Sequence, residues 1–192
     1  MTTETMISIC LGIGLAASVG FRVFVPLFAL SLASYLGAWE LNESWQWIGS
    51  LSALIVLGVA TVVEISAYYI PYLDNLLDSV SIPLAAIAGT AVMVSTVADL
   101  SPVITWALAI IAGGGTAAAV AGSTGVTRLA STATTGGTAN PIVSTVETGT
   151  AIIMAVVSIV VPFLAIILAA LILWGVFKIY KKFKPSKTKI PN

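Results

Sequence analysis

The chain contains no histidine and a single cysteine, Cys10. The first absence removes the commonest general base and the commonest metal ligand. The second excludes an intrachain disulfide. Charge is scarce too: of 192 residues, 8% are charged and 58% are hydrophobic, and the mean hydropathy is +1.07. A soluble domain carries about 25% charged residues. So few charges cannot build a soluble surface, and the apolar excess must face lipid. Lipid admits only helices and closed barrels, because every backbone polar group needs a partner. Barrel strands alternate apolar and polar over about ten residues. Here the apolar runs are continuous and longer. They predict an all-α, polytopic transmembrane helical bundle forming one domain over 1–180.

Eight basic and eight acidic residues cancel, but the signs are segregated. Lys178, Lys181, Lys182, Lys184, Lys187 and Lys189 crowd the C-terminus, while acidic residues are scattered through the body. A basic run beside a hydrophobic segment places that end in the cytoplasm, so 181–192 reads as a basic cytoplasmic tail. It could also bind anionic lipid. Nothing reads as a nucleic-acid patch. The N-terminus lacks a basic region, so the first apolar run is expected to remain as a span rather than be cleaved as a signal.

A span needs about 20 mostly apolar residues. Met6–Leu36 is too long for one straight span and contains Arg22 and Pro26. It reads as one kinked helix, or as a helix followed by a half-buried segment. Trp39, Trp45 and Trp47 mark an interfacial loop without Lys or Arg, which suits the outer face. Further spans fall at about 48–70, 82–98 and 103–122. The stretch 141–180 is about twice a bilayer core in length, with Pro162 near its middle. Two spans meeting there give six in total; one long kinked helix gives five. With six, both termini are cytoplasmic.

The two halves, about 1–100 and 103–180, share an order of motifs. Gly12-Ile-Gly14-Leu-Ala-Ala17 recurs as Gly113-Gly-Gly115-Thr-Ala-Ala118. Arg22 or Arg128 follows, then Glu64 or Glu147, then Pro83 or Pro162. Three spans per half would make an inverted repeat. Both glycine motifs match G-x-G-x-x-G/A, but a dinucleotide site needs a preceding strand. Inside membrane helices, small residues at this spacing let backbones approach closely.

The intramembrane charges are the sharpest signal. A charge at bilayer depth costs at least about 2.5–3.5 kcal/mol, so Arg22, Glu64, Arg128 and Glu147 are expected to face the interior and pair. They form structural ion pairs, or an ion or substrate site near the midplane, and the two roles are compatible. The segment 123–141 is dense in Ser, Thr and Gly. It is expected to be re-entrant or broken, with Ser131, Thr132, Thr134, Thr135 and Asn140 lining a hydrated cavity. A flexible interhelical loop is the alternative. Tyr68, Tyr69 and Tyr72 read as an interfacial belt, and Asp74 and Asp78 as its acidic rim. Two carboxylates four apart are a weak metal signal, and no metal or cofactor is expected.

The segments Gly20-Phe-Arg-Val-Phe-Val-Pro26, Glu64-Ile-Ser-Ala-Tyr-Tyr-Ile-Pro-Tyr-Leu-Asp-Asn-Leu-Leu-Asp78, Ala112-Gly-Gly-Gly115, Ser131-Thr-Ala-Thr-Thr-Gly-Gly137 and Asn140-Pro141 carry a resemblance. Together they are similar to a bacterial membrane family, domain of unknown function 4126, over nearly the whole chain up to the lysine tail. The resemblance implies a multi-spanning bacterial inner-membrane protein and implies no mechanism.

These readings lead to a small transporter or channel for an ion or small solute. Arg22 and Arg128 would hold an anionic group or neutralise the glutamates, and Glu64 and Glu147 would bind a cation or carry protons. A chain this short is expected to need a dimer or higher oligomer to enclose a pathway. The alternative is a non-transporting scaffold, assembly factor or lipid-interacting protein whose charges are structural ion pairs. An enzyme is not expected.

Overall fold

Helix starts follow local sequence chemistry. Thr2 and Ser50 accept the amides of Thr5 and Ala53 at the heads of their helices. Pro71, Pro102, Pro141 and Pro162 occupy first turns, where a missing N–H costs nothing. The computed structural model describes residues 2–98 and 100–183. Its helices are α1 (Thr3–Val19), α2 (Phe24–Tyr35), α3 (Leu51–Ala67), α4 (Pro71–Thr96), α5 (Pro102–Leu108), α6 (Gly115–Thr135), α7 (Asn140–Val160) and α8 (Pro162–Phe183). A 3₁₀ helix, Glu43–Gly49, precedes α3, and a π-helical turn, Ala109–Gly114, joins α5 to α6. No strand occurs among the described residues.

The central helix is α1, packed against α4, α6, α7 and α8. Leu11, Leu15, Ala16 and Ala17 on it are fully buried. The outer faces stay apolar: Val62, Ile87 and Ile111 are each more than half exposed. Such faces suit lipid, and the chain is membrane-embedded. Glycines set the closest approaches. A Cβ on Gly113 would lie 2.6 Å from the Gly89 carbonyl oxygen, and one on Gly14 would lie 2.6 Å from Ala165 Cβ.

Among the described residues, length and composition single out three to four candidate spans. Three helical stretches are long and apolar enough to cross a bilayer: Tyr72–Thr96, Pro102–Thr135 and Asn140–Val160. The pair Glu43–Gly49 and Leu51–Ala67, bent by 64°, makes a fourth if counted as one span. The first apolar run divides into α1 and α2 at Gly20–Val23, and α2 has 12 residues. At about 1.5 Å per residue, α2 falls short of a bilayer core.

Other boundaries moved for local reasons. The Pro71–Asp78 connection is the first two turns of α4, because its proline opens that helix. The segment 123–141 is helical through Thr135 and again from Asn140. Its irregular backbone is confined to Gly136–Ala139, with positive φ at Gly136 and Gly137. Thr127, Thr134 and Thr135 donate to the carbonyls of Ser123, Ala130 and Ser131, which lets a threonine-rich segment remain helical. At Val161 the chain turns back, and Met154 of α7 packs in one cluster with Leu168, Ala169 and Ile172 of α8.

The motifs paired between the halves occupy different settings. Arg22 lies at a helix break and Arg128 inside α6; Pro83 lies inside α4 and Pro162 opens α8. Helix α8 continues through Phe183, into the stretch read as a tail. Lys184, Lys187 and Lys189, on which much of the orientation expectation rests, lie outside the described residues.

Candidate functional site

The end of α1 delivers Arg22 to the middle of the bundle. Gly20 sits where a Cβ would lie 2.7 Å from the Ala117 carbonyl oxygen, so α1 and α6 touch beside the break. Beyond it Arg22 is 2% exposed, and all three guanidinium nitrogens are used. Nε donates to Thr148 Oγ1 at 3.1 Å, and Nη2 to the Ser144 carbonyl at 3.0 Å. Nη1 donates to the Phe21 carbonyl at 2.9 Å and to Glu147 Oε2 at 3.0 Å.

Arg128 reaches the same carboxylate from α6. Its Nε donates to Glu147 Oε1 at 3.3 Å and Oε2 at 3.1 Å, and its Nη2 to Ser144 Oγ at 2.8 Å. Its Nη2 also donates to Glu147 Oε2, and its Nη1 to Asp74 Oδ1. Glu147 therefore bridges an arginine at the α1–α2 break and one on α6. Both guanidinium carbons lie over the Tyr68 ring, 3.9 Å from its centroid for Arg22 and 4.4 Å for Arg128. Ring electrons thus share in holding the two cations.

Glu64 does something else. Its Oε1 accepts the Val23 amide at 2.8 Å, and its Oε2 the Phe24 amide at 2.9 Å. Those amides head α2, where helical donors lack partners and the helix dipole favours negative charge. Among the described ion pairs the arginines use Glu147, Asp74 and Asp78, and Glu64 stands in as a cap.

The expected acidic rim belongs partly to the interior. Asp74 is buried, and its Oδ2 accepts from Asn140 Nδ2 at 3.2 Å. Asp78 lies 3.6 Å from Arg128 Nε, with its side chain 25% exposed. Tyr68 is buried in the cluster, whereas Tyr69 is half exposed and bonds Thr145 at 2.8 Å. Tyr72 is exposed. In the Ser/Thr segment, Asn140 also donates to Thr132 Oγ1 at 3.2 Å. Thr134 and Thr135 are exposed, and both hydroxyls donate within their own helix, while Thr135 Oγ1 also accepts the Ala139 amide of the α6–α7 turn at 3.2 Å. Ser131 is half-buried, and neither its Oγ nor Asn140 Oδ1 has a described partner.

Ser144 and Thr148 were not singled out in the sequence. The signal was there: in Ser144-Thr-Val-Glu-Thr148, Ser144 stands three residues before Glu147 and four before Thr148, so it neighbours both on the helix surface.

Two cavities of about 320 Å³ each meet the cluster. One, deeper in the bundle, is lined by Arg22, Glu64, Asp78 and Arg128 among apolar walls. The other lies beneath the α6–α7 turn and is lined by Asp74, Thr132, Gly136 and Asn140. Tyr68 is the residue they share. A third cavity, about 590 Å³, lies at the opposite end of α4, with Glu4, Glu40 and Glu43 in its wall and no Lys or Arg. Among the described residues no three Cys, Asp or Glu side chains are grouped to hold a metal ion.

The family described as Domain of unknown function (DUF4126) matches residues 9–182. The chain belongs to that family. The match spans every cluster residue from Arg22 to Glu147. No curated protein and no solved structure matches the chain.

Proposed function

We propose that this chain is a small transporter or channel of the bacterial inner membrane, moving an ion or small solute through the Arg22–Glu64–Asp74–Asp78–Arg128–Glu147 cluster. The observation that carries the reading is the pair of separate cavities meeting at Tyr68. A cluster that only pinned helices together would need no space on either side of it. Here one cavity reaches Arg22, Glu64, Asp78 and Arg128, and the other reaches Asp74 and Asn140. Rotation of Tyr68 away from the guanidinium groups would join them.

The charge balance supports a cationic or protonic cargo. Glu64, Asp74, Asp78 and Glu147 stand against Arg22 and Arg128, so the arginines neutralise carboxylates rather than wait for an anion. Asn140 and Thr132 would line the path; Thr134 and Thr135 would not. The basic C-terminus is assigned to the cytoplasm by its lysines. The broad exposed apolar faces suit assembly with further copies as well as lipid.

The second reading is a structural scaffold. It is favoured by the saturation of Arg22, whose nitrogens all bond within the protein. Flux into proteoliposomes decides between them. Purified protein should pass at least one cation or protonatable solute in a panel of both signs. No flux for any of them would sink transport and leave the scaffold.

A further inference from the structure

Helices α3 and α4 are joined by the short turn Tyr68–Ile70, yet they do not pack along each other. Helix α3 lies against α2 and the 3₁₀ helix, whereas α4 lies against α1, the π turn and α6. The deeper cavity occupies the wedge between them. Ala60 and Val63 of α3 face Leu77 and Leu84 of α4 across it. Val63 and Leu84 are 61% and 37% exposed, so the wedge opens sideways, towards lipid.

Its charged floor is selective. Every guanidinium nitrogen of Arg22 and Arg128 is already donating within the protein, so the arginines have little left for an anion. Glu64 is spent on two backbone amides. Asp78 differs: among the described residues its carboxylate accepts no hydrogen bond, and its nearest cation, Arg128 Nε, is 3.6 Å away. The cluster therefore presents one under-used carboxylate at the base of an apolar, laterally open wedge. Asp74 and Glu147 are spent on Arg128, and among the described residues no three carboxylates are placed to hold a metal ion, so a metal would lack ligands. An ammonium group needs one carboxylate, and its hydrocarbon chain needs the apolar walls.

We propose that the α3–α4 wedge binds a single-chain amphiphile with an ammonium head, the head at Asp78 and the tail between α3 and α4. The inference rests on reading the cluster as a ligand site, but it requires no net flux. It names the cargo class that the transport reading leaves open.

The test uses the full chain in phosphatidylcholine nanodiscs, with Cys10→Ser and Ala60→Cys, and decylammonium as the probe. The alkylation rate of residue 60 by a maleimide reports occupancy of the wedge. Decylammonium should protect saturably, while decanol and decyl sulfate at equal concentration should not. Asp78→Asn should weaken protection roughly tenfold or more, because a charge-assisted contact is lost. Should that variant fail to fold, Leu84→Trp, which fills the wedge and spares Asp78, should abolish protection instead. Equal protection by decanol, or protection unchanged by Asp78→Asn in a folded variant, would overturn the proposal. So would full protection in phosphatidylethanolamine nanodiscs without added amine, which would assign the wedge to a lipid headgroup. Binding without proteoliposome flux would refute transport alone, and flux without protection would refute this site alone.

Discussion

Arg22 and Glu147 lie 125 positions apart in the chain and meet at 3.0 Å inside the bundle. Glu147 also holds Arg128, so one carboxylate ties the α1–α2 break, α6 and α7 together. Neutralising it leaves two buried cations short of their shared counter-charge. Glu147→Gln should therefore destabilise by about 3–5 kcal/mol. The measure is thermal or denaturant unfolding in detergent, and a wild-type midpoint would refute the bridging role.

Glu64 has a different partner and should behave differently. Glu64→Gln keeps one acceptor for the two α2 amides and loses the other, costing about 1–3 kcal/mol. Because Glu64 caps a helix rather than pairing with arginine, Arg22→Gln should not rescue it. A double-mutant cycle showing rescue would restore a direct Arg22–Glu64 pair.

Tyr68 separates the cavities through its ring. Tyr68→Phe keeps both cation–π contacts and should change stability by less than about 0.5 kcal/mol. Tyr68→Leu removes both and should cost about 1–4 kcal/mol. If the transport reading holds, the leucine variant should also leak, measured as flux without a gradient-coupled partner. Equal behaviour of the two variants would remove the ring from the mechanism.

The glycine motif makes a paired prediction. Gly113→Ala drives a methyl towards the Gly89 carbonyl oxygen, 2.6 Å away, and should destabilise by roughly 1–3 kcal/mol. At Gly115 a methyl would enter open space, with no atom within 4 Å, so Gly115→Ala should be neutral or stabilising by up to about 1 kcal/mol. Melting of the two purified variants checks both signs.

The hydroxyl segment divides the same way. Thr134→Val touches an exposed position whose hydroxyl bonds only its own helix, and it should leave stability and flux near wild type, whereas Thr135→Val also removes the acceptor of the exposed Ala139 amide and should cost up to about 1 kcal/mol with flux unchanged. Ser144→Ala removes an acceptor of Arg128 Nη2 and should cost about 1–3 kcal/mol. A threonine variant more damaging than Ser144→Ala would return the pathway to the α6–α7 turn.

By itself the sequence determined that this chain lives in a membrane as helices, because its charge is too sparse for any aqueous surface. It also determined that Arg22 and Arg128 must find carboxylates, since a lone charge at that depth is too costly. The glycines at Gly14 and Gly113 were legible as contact points because close backbone approach has few other solutions. Which carboxylate serves which arginine was decided by the tertiary structure. Glu64 and Glu147 are alike in composition and setting along the chain, and only the crossing of α2, α3, α6 and α7 gives one to backbone amides and the other to both arginines. Asp74 looked like surface because it follows an interfacial tyrosine run, and it is interior because Pro71 starts α4 early enough to carry it under Arg128. The Thr/Gly stretch looked irregular because propensity disfavours it as helix, yet hydroxyls bonding back to their own carbonyls, and packing of α6 on α1 and α4, hold it helical. Propensity is a local preference, and burial of the face that carries Arg128 outweighs it.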